Sequence, residues 1–429
     1  MKISAVKGFR DVLPEESDRW NWIESTARQL FSIYNYGEIR LPIAERIALF
    51  RGSIGEATDI VEKEMYAFED RDGTMIALRP EGTASVVRAY VEHSLQVKEP
   101  VSKLFYVGPM FRRERPQKGR YRQFHQIGCE VLGRDDPAVD AEVIVLVDDL
   151  LRRLGVENAH FHLNSLGDAE CRPKYRQALT AWGREHYEDL CENCRRRLEQ
   201  NPLRLLDCKE ERCRESTASA PLMEAYLCDG CREHFQSVRD TIAAVHVDFT
   251  VDFRLVRGLD YYCRTAFEIV SEGLGAQNAI GGGGRYDGLV RALGGPDVAG
   301  VGVALGLERL AMVAGEQPKS AGVEICIAPL GTAADPVAAR LAHSLRQLGV
   351  RIEAESGGRS LKSHMRRADK LGARYVVIIG DQEIGRNAAS VRDMMAKVDF
   401  PCALPLSSAP GEFLENLRGL RPAPSVSHA

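Results

Sequence analysis

No run of 18 apolar residues occurs in the 429-residue chain, so no helix should cross the roughly 30 Å hydrocarbon core of a bilayer. The start, Met1-Lys2-Ile3-Ser4-Ala5, lacks the apolar core of an export signal. An excess of positive charge is also missing. Lys and Arg number 57 against 61 Asp and Glu, a formal net charge of −4. That excludes a general basic coat for nucleic acid and leaves room for a local basic patch. What is present is ordinary globular composition, 44% hydrophobic and 28% charged, which excludes chain-wide disorder, collagen-like repeats and the small secreted classes. A chain this long buries enough core to fold without disulfides. Its eleven cysteines, with no export signal, read as reduced thiols in the cytoplasm. Length alone predicts two or three domains, at roughly 100–200 residues each.

Apolar periodicity predicts a helix over 17–34, a short strand over 37–41 ended by Pro42, strands over 103–107 and 124–132, and a helix over 138–154 ended by Gly155. Residues 170–240, rich in Arg, Glu and Cys and poor in strand signals, read as a helical insertion. Strands are expected again over 248–256 and 265–270. A glycine-dense stretch, 273–288, and a helix over 303–314 follow. Beyond a linker at 315–320, strands at 325–330, 350–354 and 375–379 alternate with helices at 334–348 and 359–371, the rhythm of a compact parallel α/β domain. The tail 421–429 should fray. No internal repeat is visible.

The strongest local signal is the segment 111–126. Its cations Arg112, Arg113, Arg115, Lys118, Arg120 and Arg122 face one acid, Glu114, and Lys118-Gly119 marks a turn between two extended arms. Guanidinium forks around such a tip suit polyphosphate or an RNA end. A charge run alone would more simply be a solvated hairpin, but Phe124 could stack on a base. Gln126, Gly128 and Glu130 would share one strand face, with Gly128 leaving room for a ligand. In Arg79-Pro80-Glu81-Gly82-Thr83, a carboxylate and a hydroxyl beside glycine can bind an ammonium group or merely start a helix. Arg257-Gly258-Leu259-Asp260-Tyr261-Tyr262 could set a charge and two hydroxyls in a cleft, although tyrosines beside a strand more often pack. Four successive glycines, 281–284, suggest a backbone that approaches a ligand or bends sharply. They lack the strand–G-x-G-x-x-G–helix context of a dinucleotide fingerprint. Residues 302–309 end in Arg309, poised near that glycine strand or buried structurally.

Together and in this order, these segments resemble the histidyl-tRNA synthetases, a family of class II aminoacyl-tRNA synthetases. The likeness runs from Lys7-Gly8-Phe9-Arg10-Asp11 through the α/β domain. The basic hairpin resembles motif 2 of the class, residues 302–309 motif 3, and Pro42 the motif 1 proline of the dimer interface. The resemblance implies an antiparallel sheet flanked by helices (residues 1–320), bearing the 170–240 insertion, and a C-terminal α/β anticodon-binding domain (322–420). It implies activation of L-histidine by ATP, with Mg²⁺ accompanying the ATP, transfer to the tRNA for histidine, and a homodimer. Glu81, Thr83 and Gln126 would hold the α-amino group, with Gly82 also in the histidine site, Glu130 and Tyr262 would bind the imidazole nitrogens, and Tyr261 would line the pocket. Arg112 and Arg257 would sit on the carboxylate and α-phosphate as catalytic groups, Glu114 and Phe124 on adenine, and Arg309 on the terminal phosphates. The alternative, a non-catalytic regulatory subunit of the same fold, should have lost pocket residues or the C-terminal domain, and both are present.

Two features lie outside the motifs. Cys191, Cys194, Cys208, Cys213, Cys228 and Cys231 fall in the insertion, and the pairs Cys191/Cys194 and Cys228/Cys231 have a spacing that suits tetrahedral zinc. The pairs are far apart in sequence, and reduced cysteine also packs as a small apolar residue. Zinc stays an alternative, and no metal ligand is expected. Residues 359–374 carry Arg359, Lys362, Arg366, Arg367, Lys370 and Arg374 against Asp369 alone, a stripe that should attract phosphates on an otherwise acidic chain.

Overall fold

Strands that bury both faces need helices on one side and a second cover on the other, and the first of two compact units, Met1–Gln317, is built that way. The computed structural model describes residues 3–55, 58–275, 278–317, 322–356, 358–406 and 410–419. In chain order the strands of this unit are β1 (Gly37–Glu38), β2 (Ala44–Arg46), β3 (Tyr66–Glu69), β4 (Met75–Leu78), β5 (Ser102–Phe111), β6 (Gln123–Leu132), β7 (Ala159–Ser165), β8 (Phe249–Val251), β9 (Cys263–Ser271), β10 (Ala279–Arg285) and β11 (Gly300–Gly306). Eight of them form one sheet in the order β1-β5-β6-β11-β10-β9-β7-β8, while β2-β4-β3 form a small separate sheet. Pairing in the large sheet is antiparallel except at its two ends, β1 with β5 and β7 with β8.

The alternation along β6 shows how the sheet is covered. Ile127, Cys129 and Val131 join a core with Trp20, Ile23, Leu30 and Phe31 of the Pro14–Ile33 helix and with Ile144, Val147 and Leu151 of the Pro137–Arg153 helix. Burying one such large apolar side chain contributes about 1.5–3 kcal/mol, so this face anchors the sheet. The other residues, Gln126, Gly128 and Glu130, turn toward the opposite face, where Val86, Val87 and Tyr90 of the Thr83–Glu92 helix pack with Tyr106, Tyr262 and Tyr286.

Helices and turns fill the stretch between β7 and β8, ending in the Asp229–Ala244 helix. That last helix is tied back to the sheet through Asp140, which is fully buried and accepts from His234 Nε2 at 2.8 Å and from the buried Arg285 of β10. Removing one member of so buried a charge set leaves the other charges unpaired, which is far costlier than losing a surface pair. The two C-x-x-C pairs do not face each other, contrary to the sequence expectation that treated them as one cluster. Cys191 and Cys194 meet Cys208 and Cys213, whereas Cys228 and Cys231 meet Cys171 and Asp168.

Several element boundaries differ from expectation: the 37–41 strand is only Gly37–Glu38, and the 103–107 strand runs from Ser102 to Phe111. The 303–314 segment is not one helix. Strand β11 runs to Gly306, paired with β6 from Gly300 opposite Leu132 to Gly306 opposite Gln126, and the helix is only Leu307–Val313. A short apolar run buried on both faces has no periodicity to separate strand from helix. The 248–256 strand stops at Val251, because the Asp252 carboxylate accepts from Arg254 N at 2.9 Å and turns the chain.

The second unit, Pro318–Ala429, has its own core around Ile325, Ile327, Leu345, Val377, Phe413 and Leu417. Its strands are β12 (Ile325–Pro329), β13 (Ile352–Ala354), β14 (Tyr375–Ile379), β15 (Ala388–Asp393) and β16 (Val398–Pro405), in the order β13-β12-β14-β15-β16. Only β13, β12 and β14 are parallel. β15 and β16 add antiparallel strands, so the sheet is mixed rather than wholly parallel. Residues 318–320 of the expected linker and the tail 421–429 lie outside the described residues. Among the described residues, no helix is long and apolar enough to cross a membrane.

Candidate active site

One open cleft of about 910 Å³ lies on the sheet face away from the long helices. Its walls come from the end of β4 and the helix that follows, from the β5–β6 hairpin, from the 257–262 loop, and from β9, β10 and β11. Glu81, Thr83, Arg112, Glu114, Phe124, Gln126, Arg257, Tyr261, Tyr262 and Arg309 all line it. Gly82 and Glu130 do not. They stand one layer back.

Glycine explains that back layer. A Cβ on Gly82 would lie 2.3 Å from the Tyr106 ring, and one on Gly128 would lie 2.4 Å from it. The Tyr106 ring is thus slotted between the two glycines, and the room at Gly128 is filled by this side chain rather than left for a ligand. Tyr106 carried no sequence signal, since its strand reads as plain core.

The acceptors of the site are buried. The Glu81 carboxylate accepts from the backbone N–H of Thr83 at 2.6 Å and of Ala84 at 2.9 Å, capping the Thr83–Glu92 helix. Burial pushes this carboxyl up, and those N–H groups oppose the shift. Glu130 is fully buried and accepts from Thr83 Oγ1 at 2.7 Å and from the Tyr286 hydroxyl at 2.6 Å. Burial pushes it up to about 8, with the two hydroxyl donors opposing and the Glu81 charge adding to the rise. Gln126 Oε1 is buried and without a hydrogen-bond partner. The Tyr262 hydroxyl is pushed up to about 12 by burial, against the field of Arg257, and stays neutral at pH 7.

The raised Glu130 carboxyl has a measurable consequence. The same carboxyl ionises near 4.5 in the unfolded chain, so between that pH and about 8 the folded state binds the extra proton. The stability contributed by the neutral carboxyl is then full below pH 4.5 and is lost as the pH rises through 8. Glu130→Gln keeps an acceptor and cannot ionise. The free variant is expected to melt near wild type at pH 5 and more than about 2 °C above it at pH 8.5, on the usual scale of a few degrees per kcal/mol. A melting-temperature gap that does not change with pH would show that Glu130 is ionised throughout.

Cations line the same cleft. Arg112 Nε donates to the Pro80 carbonyl at 2.9 Å, and its guanidinium lies 5.3 Å from the Phe124 ring centroid. Arg257 Nη1 pairs with Glu268 Oε1 at 2.9 Å. Its guanidinium stands over Gly282, where an added Cβ would approach within 2.6 Å. At this position the glycine run serves a side chain. Arg309 donates to the carbonyls of Gly119 and Ala279, tying the hairpin tip to the start of β10. Arg120 pairs with Glu114 at 3.1 Å. Sequence reasoning missed Glu268 and Glu308. The first is the one acid in the apolar strand Thr265–Val270, which was a usable signal. The second accepts from the His125 backbone at 3.0 Å, a tertiary contact with no local pattern.

In the second unit the basic stripe is only half free. Arg359 pairs with Glu355, Arg367 with Glu353, and Arg374 with Asp393. Lys362, Arg366 and Lys370 are exposed on the Leu361–Lys370 helix at four-residue spacing, which puts them in one row.

Comparison with known proteins follows the same division of the chain. The family described as histidyl-tRNA synthetase matches residues 8–310, and the anticodon binding domain matches residues 324–416. The histidine–tRNA ligase of Geobacter sulfurreducens is 52% identical over 392 residues, spanning 91% of this chain and 95% of its own. That of Syntrophotalea carbinolica is 49% identical over 405 residues, spanning 94% and 97%. The crystal structure of apo S. aureus histidyl-tRNA synthetase superposes with a TM-score of 0.81 at 35% identity, covering 96% of this chain and 100% of that one.

Proposed function

The chain belongs to the histidyl-tRNA synthetase family, and from that premise we propose how its side chains divide the work of joining histidine to tRNA. The reaction activates L-histidine with ATP to histidyl-adenylate and pyrophosphate, and the 3′ end of the tRNA then takes the histidine. No side chain needs to become covalently attached, so rate comes from positioning and charge stabilisation.

The observation that carries the reading is that one cleft is lined both by the buried acceptors Glu81 and Gln126 and by four guanidinium groups, those of Arg112, Arg120, Arg257 and Arg309. The ammonium group of an amino acid and the phosphates of a nucleotide triphosphate match these two sets. Glu81, Thr83 and Gln126 receive the ammonium group. Gln126 Oε1 is free to accept it, and Thr83 Oγ1 keeps lone pairs while donating to Glu130. Gly82 supports them by admitting the Tyr106 ring beneath it. Glu130, one layer deeper, and Tyr262 serve the two imidazole nitrogens, and Tyr261 closes the pocket. Arg112 and Arg257 hold the carboxylate and the α-phosphate where negative charge builds up. Phe124 offers its face to adenine, Glu114 an acceptor to its amino edge, and Arg309 a charge to the terminal phosphates. Mg²⁺ enters with ATP, held mainly by phosphates and water. The protein works as a homodimer in the cytoplasm, and its second unit binds the tRNA.

Amino-acid-dependent pyrophosphate exchange with the purified protein tests this directly. Exchange with histidine alone is expected, whereas no exchange with any of the twenty amino acids would favour a regulatory role. Glu130→Gln should weaken histidine binding and selection while ATP affinity stays nearly constant, because the bound imidazole N–H draws the buried carboxyl, neutral in the free protein, into its charged form, and charge-assisted bonds are about twice as strong as neutral ones. Parallel loss of both affinities would mean Glu130 acts on the fold and not on the ring.

A further inference from the structure

We propose that the insertion holds two structural zinc ions, one bound by Cys191, Cys194, Cys208 and Cys213 and the other by Asp168, Cys171, Cys228 and Cys231. In each set the four donor atoms all lie within 4.8 Å of one another. Tetrahedral zinc with sulfur ligands at about 2.3 Å places those sulfurs about 3.8 Å apart. Cys191 Sγ lies 3.9 Å from Cys208 Sγ, and Cys228 Sγ lies 3.8 Å from Asp168 Oδ2.

The two sets share one architecture. Cys191 precedes the Glu192–Gln200 helix and Cys194 sits in its first turn. Cys228 precedes the Asp229–Ala244 helix and Cys231 sits in its first turn. In each, the N–H of the leading cysteine donates to a sulfur from the other half of the set, Cys191 N to Cys213 Sγ and Cys228 N to Cys171 Sγ, both at 3.0 Å. Such N–H bonds stabilise a thiolate, the form that binds metal. Apolar packing alone would account for buried cysteines. Asp168 Oδ1 accepts from the backbone N–H of Glu170 and Cys171, and apolar packing gives no reason for the other carboxylate oxygen to face three thiols, as Oδ2 does. Four sulfurs, or three sulfurs and one oxygen, with no histidine, suit zinc better than magnesium or calcium.

The centres also sit where they matter to the rest of the unit. Between Cys191 and Cys213 the chain sends Arg197 to Asp59 at 3.1 Å and Asn201 to Asp260 at 2.7 Å. Next to the second set, Arg172 donates to the Tyr262 carbonyl at 3.0 Å. Each centre would brace the insertion against one part of the 257–262 loop.

The test is metal analysis of the full-length chain, made in zinc-supplemented medium under reducing conditions and freed of loose metal by gel filtration. About two zinc ions per chain are expected. Cobalt substitution of the same protein should give thiolate-to-cobalt charge-transfer bands. Titrating the wild-type thiols with a mercurial should release both ions to a chromogenic chelator, a readout that needs no variant to fold. Cys208→Ser with Cys213→Ser, and separately Cys171→Ser with Cys228→Ser, should each lose one ion and keep the other. Less than a tenth of an ion per chain, or cysteines found as disulfides by mass spectrometry, would overturn the proposal. One ion per chain, lost only with the first pair of substitutions, would overturn the second centre. None of these readouts depends on histidine activation.

Discussion

Replacing Arg257 with Ala is expected to slow histidine-dependent adenylate formation by about 10²–10³-fold, the scale for loss of one donor aimed at developing charge. The guanidinium is already held in place by Glu268 at 2.9 Å and by the wall of β10. It therefore needs no reorganisation when the α-phosphate is attacked. Its contribution should be larger in the transition state than in the ground state, so KM for histidine and ATP should move less than kcat. Gly282→Ala offers a second approach, because the new Cβ would sit 2.6 Å from the guanidinium and displace it without removing its charge. A loss in the same direction is expected. A large rise in KM with kcat unchanged, in either variant, would mean that Arg257 only binds.

The other large effect concerns the second unit. A chain cut before residue 322 keeps every residue that lines the cleft and the whole eight-stranded sheet. Histidine-dependent pyrophosphate exchange should remain measurable, while charging of tRNA falls sharply. Because the cut also removes folded surface, the intact chain provides the sharper version. Lys362, Arg366 and Lys370 replaced together by Ala should leave exchange unchanged and weaken tRNA binding. The slope of log affinity against log salt should flatten by up to about 0.7–0.9 for each phosphate no longer neutralised. Full charging by the truncated chain would overturn the assignment of tRNA binding to this unit. Loss of exchange from a folded truncated product would show instead that the second unit supports the catalytic sheet.

Most of the architecture could be read where one physical signal dominated. The Pro14–Ile33 and Pro137–Arg153 helices carry a strong 3.6-residue repeat and open with proline, and both appear within a few residues of expectation. Strand β11 could not be read in this way. Val303 and Leu305 are buried between two strands, and a segment apolar on both faces gives no period. In the second unit, β15 and β16 were missed because alternation in Ala388–Asp393 is weak. At the cleft, the residues expected to act came from charged or glycine-rich segments, which stand out against an apolar background. Tyr106 and Glu308 did not stand out, since each takes its role from a partner more than 20 residues away. The cysteines show the same limit. The C-x-x-C spacing was plain, but which pair meets which depends on the path of the insertion. Asp168 and Cys171, three residues apart, became visible as a pair only once that path was known.

The order of the strands also sets a timetable for the ribosome. β6 ends at Leu132 and its neighbour β11 begins at Gly300, so the 167 residues from 133 to 299 must be made before the two can pair. At about 5–20 residues per second, the nascent β5–β6 hairpin waits roughly ten to thirty seconds with a ten-residue edge unpaired. The insertion emerges during that wait, and its local helices can form early, because they need no distant strand. The cleft has no such early stage. Its walls include β9, β10 and β11 as well as the hairpin, so a half-made chain has no partial active site, and competence arrives in one step when β11 closes the sheet.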